Sequence, residues 1–357
     1  MSYRVIQWST GNVGRYALRG IINHPELELV GLWVHSEKKA GMDAGELAGV
    51  APVGVAATNN AEELLAMDAD VVVYNATGDL RPHEAVEDAV RILDSGKNLV
   101  GTALVPMVYP PSAPEQMRDP IQDACLRNGV SCFTSGIDPG VANDLFPLIL
   151  TGLAERIDSV RVQEILNYAT YDQAEVLFHT MGFAKPMDHT PVLLVPGVLS
   201  LAWGCVVNVI AAGLGVTLDE IREVVVEKIP APETFEVPSG PVEQGTVAGL
   251  RFEIQGIVGG EPRIIVEHIT RLRDDIAPHW PPPPGKGGYK VLVKGSPNLT
   301  LTLELEGDGG DENSGGLIVT ATRLLNAIPA VVNAPPGVLS ALDIPLITGK
   351  GLMAPVR

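Results

Sequence analysis

Through its first 140 residues the chain alternates short apolar runs with amphipathic stretches. "RVIQWS", "ELVGLWV" (28–34), "ADVVVYNAT" (69–77), "NLVGTAL" (98–104) and "VSCFTSG" are almost continuously apolar, the pattern of strands buried on both faces. Residues 13–23, 61–68, 82–96 and "PIQDACLRNG" read as helices between them. This alternation predicts βαβ units on a parallel, doubly wound sheet of the Rossmann type.

The pattern then changes. Residues 141–157 and 190–228 read as helical, and long strands follow at 159–168, 247–258, 263–272, 289–295 and 298–307. Consecutive long strands predict an α+β domain with a largely antiparallel open sheet. Within 263–272, alternation puts Ile265, Glu267 and Ile269 on one face and Ile264, Val266, His268 and Thr270 on the other. His268 is therefore expected to be a half-buried sheet residue. "HWPPPPGKGG" and "GDGGDENSGG" are loops. Residues 316–335 form an amphipathic helix stopped by prolines. The expected division is a dinucleotide-binding α/β domain over 1–140 and an α+β substrate and oligomerisation domain over 141–315. A C-terminal helix and tail, 316–357, are expected to pack back on the first domain.

With 357 residues and 46% hydrophobic composition, the chain has ample core for two domains. Forty-three acidic against 25 basic side chains give a net charge of −18. That excludes a nucleic-acid partner, whose phosphates demand a basic surface. The stretch 190–216 is long enough for a membrane span, but Pro196, Asn208 and its glycines favour a buried or subunit-interface helix. Charged Arg4 ahead of a short strand does not read as a secretory signal. Cys125, Cys132 and Cys205 form no even framework, so reduced thiols in the cytoplasm are expected. No His, Cys and carboxylate group has metal-ligand spacing, and no metal is expected.

The first strand runs into "STGNVG", residues Ser9, Thr10, Gly11, Asn12, Val13 and Gly14. A turn between strand and helix exposes backbone amides that favour a pyrophosphate. Gly11 admits close backbone approach and Gly14 close helix packing, while Ser9 replaces the usual first glycine. After the second strand stand His35, Ser36, Lys38 and Lys39. A serine and lysines suit a ribose 2′-phosphate, which favours NADP(H), and Glu37 keeps NAD(H) open.

The order of glycine turn, "DAGELAG", "DVVVYNATG" and "NLVGTAL" resembles the N-terminal domain of the dihydrodipicolinate reductases over residues 3–105. The resemblance implies that Asn75, Ala76, Thr77, Gly78, Gly101, Thr102 and Ala103 line the nicotinamide pocket. The second half lacks that family's paired histidines and "PSGTA"-like loop. "SGIDPGVANDLFPLIL" (135–150), "EILNYATYDQAEVLFHTMGF" (164–183), "APHWPPPPGKGGYKVLVKGSP" (277–297) and "TRLLNAIPAVVNAPPG" (322–337) are instead similar to 2,4-diaminopentanoate dehydrogenase and the native amine dehydrogenases. The implied activity is NAD(P)H-dependent interconversion of a small, fairly apolar amine with its imine or ketone, in a homo-oligomer, expected to be a dimer. Those enzymes carry a glutamate shortly before the "YP" after the fourth strand. Here "GTALVPMVYPP" puts Val105 and Pro106 at the matching positions of the substrate pocket. A carbonyl reductase or alcohol dehydrogenase, or a catalytically silent NADP(H)-binding sensor, therefore stays open.

Asp138 in "SGIDPGVAND" is the first candidate for proton chemistry. Its other reading is a helix cap or, with Pro139 and Gly140, a cofactor contact. Tyr168, Tyr171 and His179 are the further catalytic candidates, with Asn167 and Glu175 lining the pocket beside Asp172. Two tyrosines can cage a cation or donate to an alkoxide. A helix from Tyr171 onward would put Tyr171, Glu175 and His179 on one face.

Overall fold

β1 (Tyr3–Trp8) leads into α1 (Asn12–Asn23), and the same rhythm continues through β2 (Leu27–Trp33), α2 (Ala44–Ala48), β3 (Ala57–Thr58), α3 (Ala61–Leu65), β4 (Val71–Tyr74), α4 (Pro82–Asp94), β5 (Asn98–Gly101), α5 (Glu115–Asn128) and β6 (Ser131–Thr134). These come from a computed structural model that describes residues 2–78 and 81–353. The strands pair in parallel in the order β6-β5-β4-β1-β2-β3. Strand order reverses between β1 and β4, which is the switch point where such sheets bind ligands. All four residues of β4 are buried, because helices cover both faces of a parallel sheet.

The second half is built differently. α6 (Leu145–Thr151) precedes β7 (Arg156–Asn167), α7 (Val198–Leu214) and β8 (Glu220–Pro230). A small hairpin follows, β9 (Phe235–Val237) and β10 (Gly240–Val242), then β11 (Val247–Val258), β12 (Glu261–Arg271), β13 (Gly288–Ser296) and β14 (Leu299–Glu304). Six of these strands form a sheet in the order β14-β13-β7-β12-β11-β8. Its pairs are antiparallel except β7 with β12. α7 packs on β8, β11 and β12. The expected helices over 141–157 and 190–228 shrink to α6 and α7. Gly215, at φ +66°, stops α7, and residues 220–230 are a strand. "EIREVVVEKIP" has apolar residues at near-helical spacing, but its β-branched run pairs along β11 instead.

α8 (Glu312–Val332) and a short β15 (Gly337–Leu339) complete the chain. β15 adds a seventh strand, parallel to β6, and at three residues it is too short for a periodicity signal. The chain divides into two compact units, residues 1–138 with 317–357, and residues 139–316. In the first unit Ala321, Leu324, Leu325, Ile328 and Val331 of α8 pack against Val5, Val71, Val73, Val100 and Phe133 of the sheet. By length and composition α8 is apolar enough to cross a membrane, yet its apolar stripe is consumed by this core. A Cβ on Gly20 of α1 would lie 2.5 Å from Leu325, so the two helices meet closely there.

Candidate active site

In the first unit, Ser9 takes the left-handed conformation at φ +83° that the usual glycine would adopt freely. Its carbonyl is held by Gln7 Nε2 at 2.8 Å. A Cβ on Gly14 would sit 2.4 Å from that carbonyl, so only glycine lets α1 start so near the strand. A Cβ on Gly11 would meet nothing nearer than Ser9 Oγ at 3.9 Å, so the turn is open on that side. Gly11 caps α1 without a side-chain bond, and no acid stands in the first turn formed by Asn12, Val13 and Gly14. Bare amides, an open backbone and the helix dipole fit a pyrophosphate.

Lys39 donates to Thr10 Oγ1 at 3.0 Å, which puts an ammonium on the glycine turn. Ser36 is half-buried, and His35 and Lys38 are exposed on the same loop. The His35 ring lies 6.1 Å from Trp33, which stacks on Trp8 at 4.9 Å.

Gln7, wholly buried, also donates to Asn75 Oδ1 at 3.1 Å, and Asn75 Nδ2 donates to Thr102 Oγ1 at 3.4 Å. This bracket ties the ends of β1, β4 and β5 together. Sequence reasoning missed Gln7, a polar residue inside an apolar strand. A Cβ on Gly78 would lie 1.8 Å from the Ala103 carbonyl, and one on Gly101 2.6 Å from that of Tyr74. Ala76 is buried and Thr77 exposed beside them. Val105 and Pro106 lie in a 3-10 turn, half-buried, with Leu104, Met107 and Val108 buried around them. No carboxylate occurs in this segment.

Asp138 closes the first unit and is half-buried. It does not cap the next helix: Asp144 accepts from Leu145 N at the start of α6. Pro139 and Gly140 open the second unit, and Gly140 N donates to Asn143 Oδ1 at 2.9 Å.

In the second unit Glu164, 4% exposed, is the centre of the polar chemistry. Tyr168 OH donates to its Oε1 at 2.7 Å, and Tyr289 OH donates to Oε2 at 2.6 Å. Strand register sets Tyr289, Glu164, His268 and Phe252 in one row across β13, β7, β12 and β11. His268 stacks on Phe252 at 4.7 Å and lies 4.3 Å from Trp203 of α7. It is thus fully buried, not half-buried, because α7 covers this face. Sequence reasoning missed Glu164, Tyr289 and Trp203. Only the β7–β13 register and the α7 packing bring them together.

Tyr168 and Tyr171 stack at 5.3 Å. Asn167 is spent on its loop: Nδ2 donates to Asp274 at 2.7 Å and Oδ1 accepts from Ala169 N at 2.9 Å. Tyr171, Glu175 and His179 do not share a helical face. A turn closed by Tyr171 N to the Tyr168 carbonyl precedes the helix, and residues 175–180 wind as a π-helix. Within it His179 and Glu175 form a mostly exposed pair at 3.8 Å. His189 is exposed on a loop.

A glycine turn at the switch point of a doubly wound sheet suits a dinucleotide, and similarity to known proteins makes the class that of the NAD(P)-dependent oxidoreductases. Residues 5–101 match the dihydrodipicolinate reductase N-terminal family, and residues 142–357 the 2,4-diaminopentanoate dehydrogenase C-terminal domain. The chain is 43% identical over 344 residues to an amine dehydrogenase of Streptomyces virginiae, covering 96% of each. It is 25% identical over 261 residues to the 2,4-diaminopentanoate dehydrogenase of Acetoanaerobium sticklandii, covering 72% of this chain and 70% of that one. Its fold resembles the amine dehydrogenase structure from Mycobacterium smegmatis, with a TM-score of 0.76 at 21% identity over 98% of this chain and 97% of that one. The chain belongs to the amine dehydrogenase and 2,4-diaminopentanoate dehydrogenase family.

Proposed function

We propose that the protein interconverts a small, fairly apolar amine with its imine or ketone, with NADP(H) as the preferred cofactor. The observation that carries the amine reading is the 43% identity, over nearly the full length, to an amine dehydrogenase.

Residues Ser9 to Gly14 hold the pyrophosphate at the N-terminus of α1. Lys39, with Ser36, Lys38 and His35, takes the 2′-phosphate; the Lys39 contact to Thr10 supports this. Asn75 to Gly78 and Gly101 to Ala103 hold the nicotinamide end, oriented by the Gln7 bracket. Pro139 and Gly140 join them by resemblance alone. The bound nicotinamide supplies or accepts a hydride. The protein's own part is to orient, exclude water and move a proton. Apolar Val105 and Pro106 exclude water. The stacked Tyr168 and Tyr171 hold a cation against their rings. Asp138 is kept as a proton-handling residue. His179 and Glu175 contribute to the substrate pocket from an exposed position, and Asn167 shapes the adjoining loop through Asp274 and Ala169.

We further propose a cytoplasmic homodimer. Its three cysteines are free and buried, in keeping with a compartment that keeps thiols reduced.

A carbonyl reductase is the second reading, favoured by the lack of a carboxylate over residues 104–108. Purified protein given NADPH and a ketone panel, with and without high ammonia, separates the two. Turnover that requires ammonia supports the amine reading. Equal turnover without ammonia overturns it in favour of the carbonyl reading. Tight NADPH binding with no turnover overturns both.

A further inference from the structure

We propose that the uncovered face of the six-stranded sheet is where two copies of this chain meet; this rests on the homodimer reading above and names its surface. Successive side chains of a strand point to opposite faces of the sheet. Register puts Glu164, Phe252, His268 and Tyr289 on one face. Both α6 and α7 lie on that side. Val160, Val162, Val291 and Val293 of the same face form a core with Leu150 of α6, and Trp203 of α7 meets Phe252 and His268. Neither helix covers the opposite face.

A sheet face that meets only water carries solvated polar side chains. The opposite face does not follow that rule. Register sets Leu292, Arg161, Ile265 and Gln255 in one row across β13, β7, β12 and β11. Ile265 is 7% exposed, and Leu292 and Val224 are half-buried. In the next row Glu267 is wholly buried. Its charge is matched within the face: Arg161 bridges Glu253 and Glu267, and Arg251 reaches Glu267 at 2.6 Å. Apolar side chains and ion pairs already drawn out of water suit a surface that a partner completes.

Charge and area point to a second copy as that partner. The chain carries a net charge of −18, so two copies repel wherever their acidic surfaces approach. The centre of this face sets Arg161 and Arg251 against Glu253 and Glu267 and has no net charge. Alternating signs of this kind can match themselves across a two-fold axis. The five strands β13, β7, β12, β11 and β8 lie side by side. At about 4.8 Å between strands and about 30 Å of common length, they present roughly 700 Å². A stable interface takes about 800 Å² from each partner.

Leu292→Glu and Val224→Glu each place a like charge on both sides of the interface. By sedimentation velocity at micromolar concentration, we expect a wild-type dimer. In each variant the dimer dissociation constant should rise about 100-fold or more, with an unchanged circular dichroism spectrum and NADPH dissociation constant. Leu201, 56% exposed on α7, supplies the control, and Leu201→Glu should stay dimeric. A wild-type monomer overturns the homodimer reading and this proposal with it. A wild-type dimer whose two sheet-face variants remain dimeric overturns this proposal alone, as does a dimer broken only by Leu201→Glu. If both sheet-face variants misfold, hydroxyl-radical footprinting of the wild type decides. Oxidation of Leu292 should fall several-fold from the diluted monomer to the dimer, and equal oxidation overturns the proposal.

Discussion

The Cβ that position 14 lacks would lie 2.4 Å from the carbonyl oxygen of Ser9. That oxygen cannot retreat easily, because Gln7 holds it at 2.8 Å. Gly14→Ala must therefore shift the first turn of α1. We expect a cost of about 1–3 kcal/mol in stability. NADPH affinity should fall at least about tenfold, since the displaced amides are those proposed to face the pyrophosphate. Urea unfolding and fluorescence titration with NADPH read the two effects, and unchanged affinity would remove the turn from the cofactor site.

Ser9 makes the opposite prediction. Its φ of +83° is strained for any residue with a Cβ. Left-handed backbone costs about 1–2 kcal/mol, and glycine returns part of that as unfolded-state entropy, roughly 0.5–1 kcal/mol. Ser9→Gly should stabilise the protein by up to about 1 kcal/mol by the same balance, seen as a higher urea midpoint with an unchanged slope. A lower midpoint would mean that the serine hydroxyl contributes more than its backbone strain costs.

In the proposed function Lys39 sets the choice of nicotinamide. Its ammonium lies 3.0 Å from Thr10 Oγ1. Lys39→Ala should weaken NADPH about tenfold, the scale of one charge-assisted bond to a phosphate, and change NADH less than about threefold. Equal losses for both cofactors, measured by fluorescence titration, would place Lys39 on the pyrophosphate instead of the 2′-phosphate.

The α/β half was legible because its signal is local. "VVVY" in β4 is buried on both faces, and its continuous apolar run says so without knowledge of any neighbour. Alternation also put Glu267 and His268 on opposite faces of β12, as their register partners Gln163 and Glu164 require. β8 was misread because an edge strand with mixed exposure lacks the clean period of two. Glu164 was invisible for another reason. A single carboxylate in "VRVQEILNY" has no meaning until β13 brings Tyr289 beside it from 125 residues away. The glycine turn announced itself, whereas the bracket of Gln7, Asn75 and Thr102 depends on three strand ends meeting.

Glu267 offers a test of the sheet's other face. Its carboxylate is fully buried among Arg161 at 2.5 Å, Arg251 at 2.6 Å and Gln163 at 2.8 Å, and Arg161 also reaches Glu253 at 2.6 Å. Burial works against its charge, but the bonds from Gln163, Arg251 and Arg161 and the arginine charge outweigh it, and its pKa is lowered from the usual 4.5. A depressed folded-state pKa contributes stability that is present above the unfolded value and lost as pH falls through the folded one. Glu267→Gln leaves two arginines facing a neutral group. It should cost about 3 kcal/mol at pH 7, the lower end for a broken buried pair, because Arg161 and Arg251 keep 29% and 23% of their side chains exposed. Urea midpoints of wild type and variant should then converge as pH falls below the ordinary glutamate value of 4.5 and through the lower folded one, where the wild-type carboxylate gains its proton. A difference that stays constant down to pH 2 would show that packing, not charge, is what Glu267 contributes.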